Sequence, residues 1–214
     1  MSARRRPLSL FDTPARLSAL GLRLADFQWA MGRILEAGRG QSVHALSSKA
    51  GTDRYHIAVI AIREGHVPNG FAPSDDDNIG RIVAPNSAFQ IVVGQGNVDT
   101  CTEEMPRTRR SRGKKGQALI GPNLFSDAVW QAIAKQAVTN AIVTRVFLYY
   151  ATQNMVRAEL SIPVGLDEKN RYSGFEDRIP LGEITENDLT MTGNLSPIAA
   201  PDPIDVTVKR RPTL

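Results

Sequence analysis

The residues with the clearest chemical potential are six cations in one short stretch near the middle of the chain. They lie within nine positions, without an intervening acid, and are Arg107, Arg109, Arg110, Arg112, Lys114 and Lys115. Arginine and lysine neutralise phosphates, and the interspersed hydroxyls and backbone amides can add hydrogen bonds. The run contains no aromatic residue on which a base could stack. We therefore predict contact with the phosphate backbone of DNA or RNA, without sequence specificity.

The charge of the chain supports a localised contact. Besides the central run, two terminal segments carry three cations each without an acid, residues 4–6 and 209–211. These twelve cations leave 14 basic and 22 acidic residues, so the remainder of the chain carries −8 although the whole carries +4. An acidic body with basic segments is typical of a protein that meets a polyanion at defined places.

Carboxylates provide the alternative chemistry of a metal-dependent nuclease. The candidates are Asp75, Asp76, Asp77, Asp99, Glu103, Glu104 and Glu159. Asp99 followed by Lys114 imitates part of such a site, but the spacing is not diagnostic of a metal centre. The run 75–77 follows Pro73 and most simply forms a solvated turn. The sequence predicts no metal site and no catalytic residue, which favours a non-enzymatic protein.

The remaining reactive residues are scattered. His44, His56 and His66 do not form a metal-binding or catalytic pattern. Cys101, the single cysteine, cannot form an internal disulfide and fits a reducing compartment. The nearby acids at positions 99, 103 and 104 should raise the pKa of its thiol, so we expect an ordinary structural cysteine.

Glycines surround the basic run without forming a nucleotide-binding motif. Gly94, Gly96, Gly113 and Gly116 match neither the dinucleotide fingerprint nor a P-loop. We therefore predict no cofactor, and interpret Gly94 and Gly96 as the exit from a strand.

Helical periodicity dominates the first third of the chain. A short helix is expected from Thr13 and Pro14 to Gly21, and a second over residues 24–37, where apolar side chains recur at helical spacing. A third is expected over residues 52–64, although its β-branched residues leave a buried strand as the alternative.

The signal then changes to hairpins. Segments 81–84 and 88–93 flank a turn-rich connection, and segments 144–150 and 155–162 flank another. In the last segment Val156, Ala158, Leu160 and Ile162 alternate with polar residues, which predicts one buried and one wet face. Pro163 should end that strand, and residues 178–181 form a further edge strand. A helix over residues 127–141 is expected to cover the face of Val156 and Leu160.

Together these elements predict an α+β fold, in which N-terminal helices precede an antiparallel sheet of four or five strands with a packed helix. Residues 1–12 are expected to form a basic flexible arm, 13–186 a single domain and 187–214 an extended tail. Within the domain, residues 13–66 form the helical part and 78–186 the sheet part. No apolar stretch reaches the length of a membrane span, and residues 7–16 do not resemble the apolar part of a signal peptide, so we expect a cytoplasmic protein without a membrane partner.

Three segments carry a resemblance to known sequences: LGLRLADFQWAM, PRTRRSRGKKG and RAELSIPVGLDEKNRYSGFEDRIPLGEI. Over residues 20–184 the chain resembles a group of uncharacterised bacterial proteins. The resemblance implies a bacterial setting and transfers no site residue.

The leading hypothesis is a non-enzymatic accessory protein that contacts nucleic acid through residues 107–115. The alternatives are a protein-binding adaptor or inhibitor and a metal-dependent nuclease. Because six like charges repel one another, we expect the basic run to lie in solvent and to contribute to binding but not to folding.

Overall fold

The computed structural model describes residues 7–39, 44, 46, 49–121 and 142–191. The helices in these ranges are α1 (Thr13–Ala19), α2 (Leu24–Ala37), α3 (Lys49–His66), α4 (Lys114–Ala118) and α5 (Glu186–Met191). The strands are β1 (Ala72–Ser74), β2 (Arg81–Val83), β3 (Phe89–Gln95), β4 (Val143–Ala151), β5 (Met155–Leu166) and β6 (Tyr172–Thr185). Two short 3-10 turns, Val67–Asn69 and Asp76–Asn78, flank β1.

The N-terminal helices confirm the helical interpretation of that region. Helix α2 has the predicted bounds, and its apolar residues Phe27, Met31 and Ile34 are fully buried. Helix α3 begins before and ends after the predicted segment 52–64. Its β-branched residues do not make a strand, because the helix packs against α2 and the sheet and tertiary contacts outweigh local propensity.

The six strands found in the described ranges form one sheet in chain order, from β1 to β6. Neighbouring strands are antiparallel except β3 and β4, which run parallel. The mixed helix-and-sheet class is confirmed, whereas the predicted strand number and the wholly antiparallel arrangement are corrected. Strand β1 is short and contains Pro73, so it lacks a periodic signal. The parallel pair is accommodated by the long connection between residues 95 and 143.

Both predicted hairpins are present. Ile82 of β2 lies opposite Ile91 of β3, and Phe147 of β4 lies opposite Leu160 of β5. Strand β5 continues through Pro163 to Leu166, so the prediction that this proline ends the strand is wrong. Strand β6 likewise extends well beyond the predicted segment 178–181.

One face of the sheet is covered by the N-terminal helices. Val156 and Leu160 pack in the same buried cluster as Phe27 and Met31 of α2, which contacts β5 and β6. The buried face of the alternating strand is therefore confirmed, but the element observed on it is α2. The predicted helix 127–141 lies outside the described residues.

The opposite face is covered by the chain between β3 and Gly121. Val92 and Leu148 of the sheet pack with Ile120, which follows α4, in a second cluster. Glu159 and Ser161, expected on a wet face, are fully buried. That expectation is wrong because the loop after β3 lies over them and Cys101 donates its backbone N–H to the Glu159 carboxylate (2.6 Å).

The ends of the chain are described only in part. Leu8 donates its N–H to the Cys101 carbonyl (3.2 Å), which ties this part of the predicted arm to the loop after β3. Residues 1–6 and 192–214 lie outside the described ranges, and the predicted tail begins within α5. Within the described ranges, none of the helices combines the length and apolar character needed to cross a membrane.

Candidate nucleic-acid interface

The backbone of the basic segment is anchored between two strands. Thr108 donates its N–H to the Tyr172 carbonyl (3.0 Å), and Arg109 donates its N–H to the Gln95 carbonyl (2.8 Å). These acceptors stand at the start of β6 and at the end of β3. The cations therefore project from a backbone that is held between the end of β3 and the start of β6.

Four of the six predicted site residues form an exposed set, called here the cation cluster. Its members are Arg107, Arg109, Arg110 and Lys114. Within the part of the chain that the structure describes, none of the four forms an ion pair. Lys115 is also exposed, but its ammonium lies 2.6 Å from the Asp77 carboxylate. The cluster thus offers four charges to an external anion.

Arg112 has a different environment. Its guanidinium lies over the Tyr172 ring, 4.8 Å from the ring centroid, and donates to the Val93 carbonyl (3.4 Å). Its backbone N–H donates to the Asn170 carbonyl (2.7 Å). We expected this side chain in solvent, but it is half-buried and fastens the segment to the second face of the sheet.

We predict that Arg112→Ser lowers the free energy of unfolding by about 1–2 kcal/mol, through loss of the cation–π contact and the packing of the arginine stem. Arg109→Ser is the matched control and should change stability by no more than about 0.5 kcal/mol. Urea unfolding of both variants measures the difference. Equal stabilities would show that Arg112 is no more structural than its neighbours.

A pocket opens beside the cluster, at the carboxyl ends of the parallel strands β3 and β4. Its volume is about 300 Å³. The residues important for its chemistry are Gly51, Arg54, Gln95, Arg109, Arg110 and Tyr149. None of the described lining residues is acidic. The carboxyl edge of parallel strands is a common place for ligands, since loops and helix starts meet there.

Arg54 is the site residue that sequence reasoning missed. It lies on α3, far along the chain from the basic segment, and its guanidinium donates to the Thr152 carbonyl in the β4–β5 turn (2.6 Å). Burial lowers the pKa of this guanidinium below its ordinary value, and an arginine remains charged near neutrality. A lone arginine within a helix carries no pattern, so only the three-dimensional arrangement identifies it.

No family model matches this chain, and no curated protein or solved structure is significantly similar to it. The functional interpretation therefore depends on the geometry of the site.

The carboxylates considered for a nuclease lie apart or are engaged in structural contacts. Asp75 accepts from Arg63 (2.6 Å), and Asp76 accepts from Ser74 and from Arg81 (2.8 Å). These hydrogen bonds lower the pKa of both carboxyls. Within the described ranges, no three His, Cys, Asp or Glu residues are placed to hold a metal ion.

Two other candidate acids belong to the loop after β3. Asp99 accepts a hydrogen bond from the Asn97 side chain (2.6 Å), within the loop. Glu159 is buried beneath the same loop and forms an ion pair with Arg178 (2.6 Å). Glu103 and Glu104 are exposed. These contacts assign Asp99 and Glu159 to loop structure and give no support to a catalytic role.

Cys101 is a buried structural residue. Burial is the main cause that raises the pKa of its thiol, and the Glu159 carboxylate adds to the effect. The predicted direction is thus correct, but the predicted cause is not, because burial and Glu159 replace the neighbouring acids in sequence. A protonated, buried thiol is a poor nucleophile.

His66 is part of the hydrophobic core. Its ring packs against Phe27 and Phe71, with centroid distances of 4.8 and 5.6 Å, and Nδ1–H donates to the Ile62 carbonyl (2.8 Å). Its Nε2 is buried without a hydrogen-bond partner among the described residues. Burial lowers the pKa of His66; the hydrogen bond to Ile62 and the charge of Asp26 oppose this shift, and Arg23 adds to it.

We predict that the protein loses stability as the pH falls below the ordinary histidine pKa of about 6.5, because the unfolded chain then binds a proton that folded His66 resists. Above that pH both states are neutral and the effect vanishes. The slope attributable to one proton is at most about 1.4 kcal/mol per pH unit. Urea unfolding between about pH 7.5 and 5.5 should show this slope in wild type and in the exposed control His56→Gln, but not in His66→Phe. If the free energy of unfolding of His66→Phe still depends on pH as steeply as that of wild type, His66 is not the group responsible.

Proposed function

We propose that this chain is a non-enzymatic accessory protein that binds nucleic acid through phosphate contacts made by the cation cluster. The observation that supports the proposal is the set of four exposed cations on an anchored backbone, which form no ion pair with any residue that the structure describes. A fixed backbone reduces the entropy lost when the cations meet a phosphate chain. The bacterial and cytoplasmic setting predicted from the sequence remains part of the proposal.

The contacts should be insensitive to sequence. Phosphate contacts position a protein on nucleic acid, whereas base edges and stacking provide sequence information. Tyr172, which contacts Arg112, and Tyr149, which lines the pocket with Arg109 and Arg110, are each only 1% exposed and cannot stack on a base. DNA and RNA of different sequences are therefore expected to bind with similar affinity.

The test is a fluorescence-anisotropy titration of the full chain with labelled single-stranded and duplex DNA at several salt concentrations. Binding should weaken steeply with salt, by about 0.9 logarithmic units per logarithmic unit of salt for each phosphate contact on duplex DNA. Two unrelated sequences serve as the specificity control. Absence of binding at low salt, or binding that does not respond to salt, would contradict the proposal.

A second candidate function is that of a protein-binding adaptor or inhibitor. It is favoured by the apolar surface at the start of the chain, where the Phe11 side chain is 96% exposed and Leu10 is 46% exposed. A partner bound at this surface should be recovered after nuclease treatment by the wild type and lost with Phe11→Ser. Recovery that depends instead on intact nucleic acid would favour the first proposal.

A further inference from the structure

We propose that the pocket at the ends of β3 and β4 captures a terminal phosphate, carried either by the end of a nucleic-acid strand or by a free nucleoside monophosphate. For the strand end, the inference rests on the proposed function. It goes beyond that function because the cation cluster alone explains contacts with phosphodiesters along a strand. The chemistry shared by both sources is a phosphomonoester attached to a nucleoside.

The charge of the pocket fits a monoester better than a diester. Arg54, Arg109 and Arg110 line it without an acidic residue among the described lining residues. A phosphomonoester carries about −1.5 to −2 charges near neutrality, whereas a backbone phosphodiester carries one. Arginine is suited to this ligand because its planar fork can donate two hydrogen bonds to one phosphate.

Arg54 is held in place by its surroundings. Its Nη2 donates to the Thr152 carbonyl, and the guanidinium lies directly against Gly38 at the end of α2. A Cβ at Gly38 would lie 1.9 Å from Arg54 Nη2, so only glycine leaves room for the side chain in this position. The Arg54 Nε is buried without a partner among the described residues. The pocket therefore has a cation whose position is fixed by the end of α2 and the β4–β5 turn.

Tyr149 adds a neutral donor at the pocket wall. The ring is 1% exposed, and the Gln95 amide donates to the hydroxyl oxygen (3.0 Å), which leaves the hydroxyl proton for an acceptor in the pocket. Burial raises the pKa of Tyr149 well above its ordinary value, while the charges of Arg54 and Arg110 act in the opposite direction. The phenol thus remains protonated and can donate to a phosphate oxygen.

The size and the walls of the pocket limit the ligand. A volume of about 300 Å³ lies at the lower end of small-molecule sites, enough for a phosphate and its sugar. Ala50 and Gly51 place the first turn of the 18-residue helix α3 at the wall, where the helix dipole favours an anion. None of the described lining residues presents an exposed aromatic ring to a base, so preference among bases is not expected.

The experiment compares oligonucleotides of one sequence that end in a 5′-phosphate, a 3′-phosphate or hydroxyl groups, each titrated into the full chain. Binding of a free nucleoside monophosphate is tested by calorimetric titration with adenosine monophosphate. We expect about a tenfold preference for one phosphorylated end, the size of the loss when hydrogen bonds to a charged group are removed. If the free nucleotide is the ligand, adenosine monophosphate binds although no end is preferred.

Two pocket variants and one control variant test whether the pocket binds the terminal phosphate. Arg54→Ala removes the cation, and Gly38→Ala displaces it while its own backbone, at φ −84° and ψ −13°, suits alanine and keeps the fold. Both should abolish the end preference or the nucleotide binding. Arg33→Ala, at a half-buried arginine on α2 that pairs with Glu64 outside the pocket, should leave both unchanged.

The outcomes separate this inference from the proposed function. Binding of the hydroxyl-ended strand tests the cation cluster alone, so its absence together with intact nucleotide binding would refute the proposed function and support the pocket. The inference is overturned if wild type neither prefers a phosphorylated end nor binds adenosine monophosphate. It is equally overturned if both pocket variants bind these probes as the wild type does.

Discussion

The Glu159→Ala variant is expected to lose about 3–5 kcal/mol of its free energy of unfolding, because it leaves the Arg178 guanidinium without its buried counter-charge. Glu159 is fully buried and accepts two hydrogen bonds from Arg178, of 3.0 and 2.6 Å. It also accepts from Ser161 (2.8 Å) and from the Cys101 backbone (2.6 Å). The same arginine donates to the Thr102 carbonyl (2.9 Å), so this pair joins the loop after β3 to the sheet.

Chemical denaturation tests this expectation, with the exposed Glu176→Ala on β6 as a control that should stay within about 0.5 kcal/mol of wild type. The double variant Glu159→Leu with Arg178→Met removes both charges and should recover part of the loss, because no charge is left buried and unpaired. A loss below about 1 kcal/mol in Glu159→Ala would mean that water or another cation compensates Arg178.

Replacing all four residues of the cation cluster with serine should weaken nucleic-acid binding most strongly. If each residue contacts one phosphate, the salt dependence on duplex DNA flattens by up to about four units, since each lost contact removes roughly 0.9 unit. On single strands each contact contributes about 0.7 unit. Stability should change little, because these side chains are exposed and form no ion pair within the described ranges. Arg112 is left intact for its packing on Tyr172.

A charge-matched comparison separates local contacts from net charge. Arg109→Ser with Lys114→Ser removes two cluster cations, while Arg23→Ser with Arg33→Ser removes two cations that are paired with Asp26 and Glu64. Anisotropy titrations at several salt concentrations should show a salt dependence of affinity that is flatter by about two units in the first double variant and almost unchanged in the second. Equal slopes in both would mean that only the overall charge matters.

The elements that sequence predicted best are those that local patterns determine. Helix α2 and the hairpins of β2–β3 and β4–β5 have clear periodicity and short connections. The parallel pairing of β3 with β4 was missed because it joins strands separated by a long connection, for which no local signal exists. The sequence predicts a solvent-exposed position for Glu159 for a related reason. Alternation with period two identifies the two faces of a strand, but it does not show whether another segment covers the polar face.

Only part of the candidate site can be predicted from the sequence. The run of cations can be recognised directly in the sequence, and its members other than Arg112 are exposed, as the sequence predicts. Arg112 has the same residue type and spacing as its neighbours, and only its contact with Tyr172 distinguishes it. Arg54 lies beside Arg109 and Arg110 in the pocket because the start of α3 and the basic segment both lie at the carboxyl ends of β3 and β4, a consequence of tertiary structure.

Backbone amide chemical shifts can map bound nucleic acid on the protein and so test directly whether the cation cluster binds it. The wild-type chain would be titrated with a hydroxyl-ended single-stranded oligonucleotide at low salt. We predict that the largest changes lie in residues 107–118 and at the adjoining ends of β3 and β4, and that they disappear as salt is raised. Changes concentrated around Phe11 and α1, or no changes at a concentration that saturates binding, would contradict it.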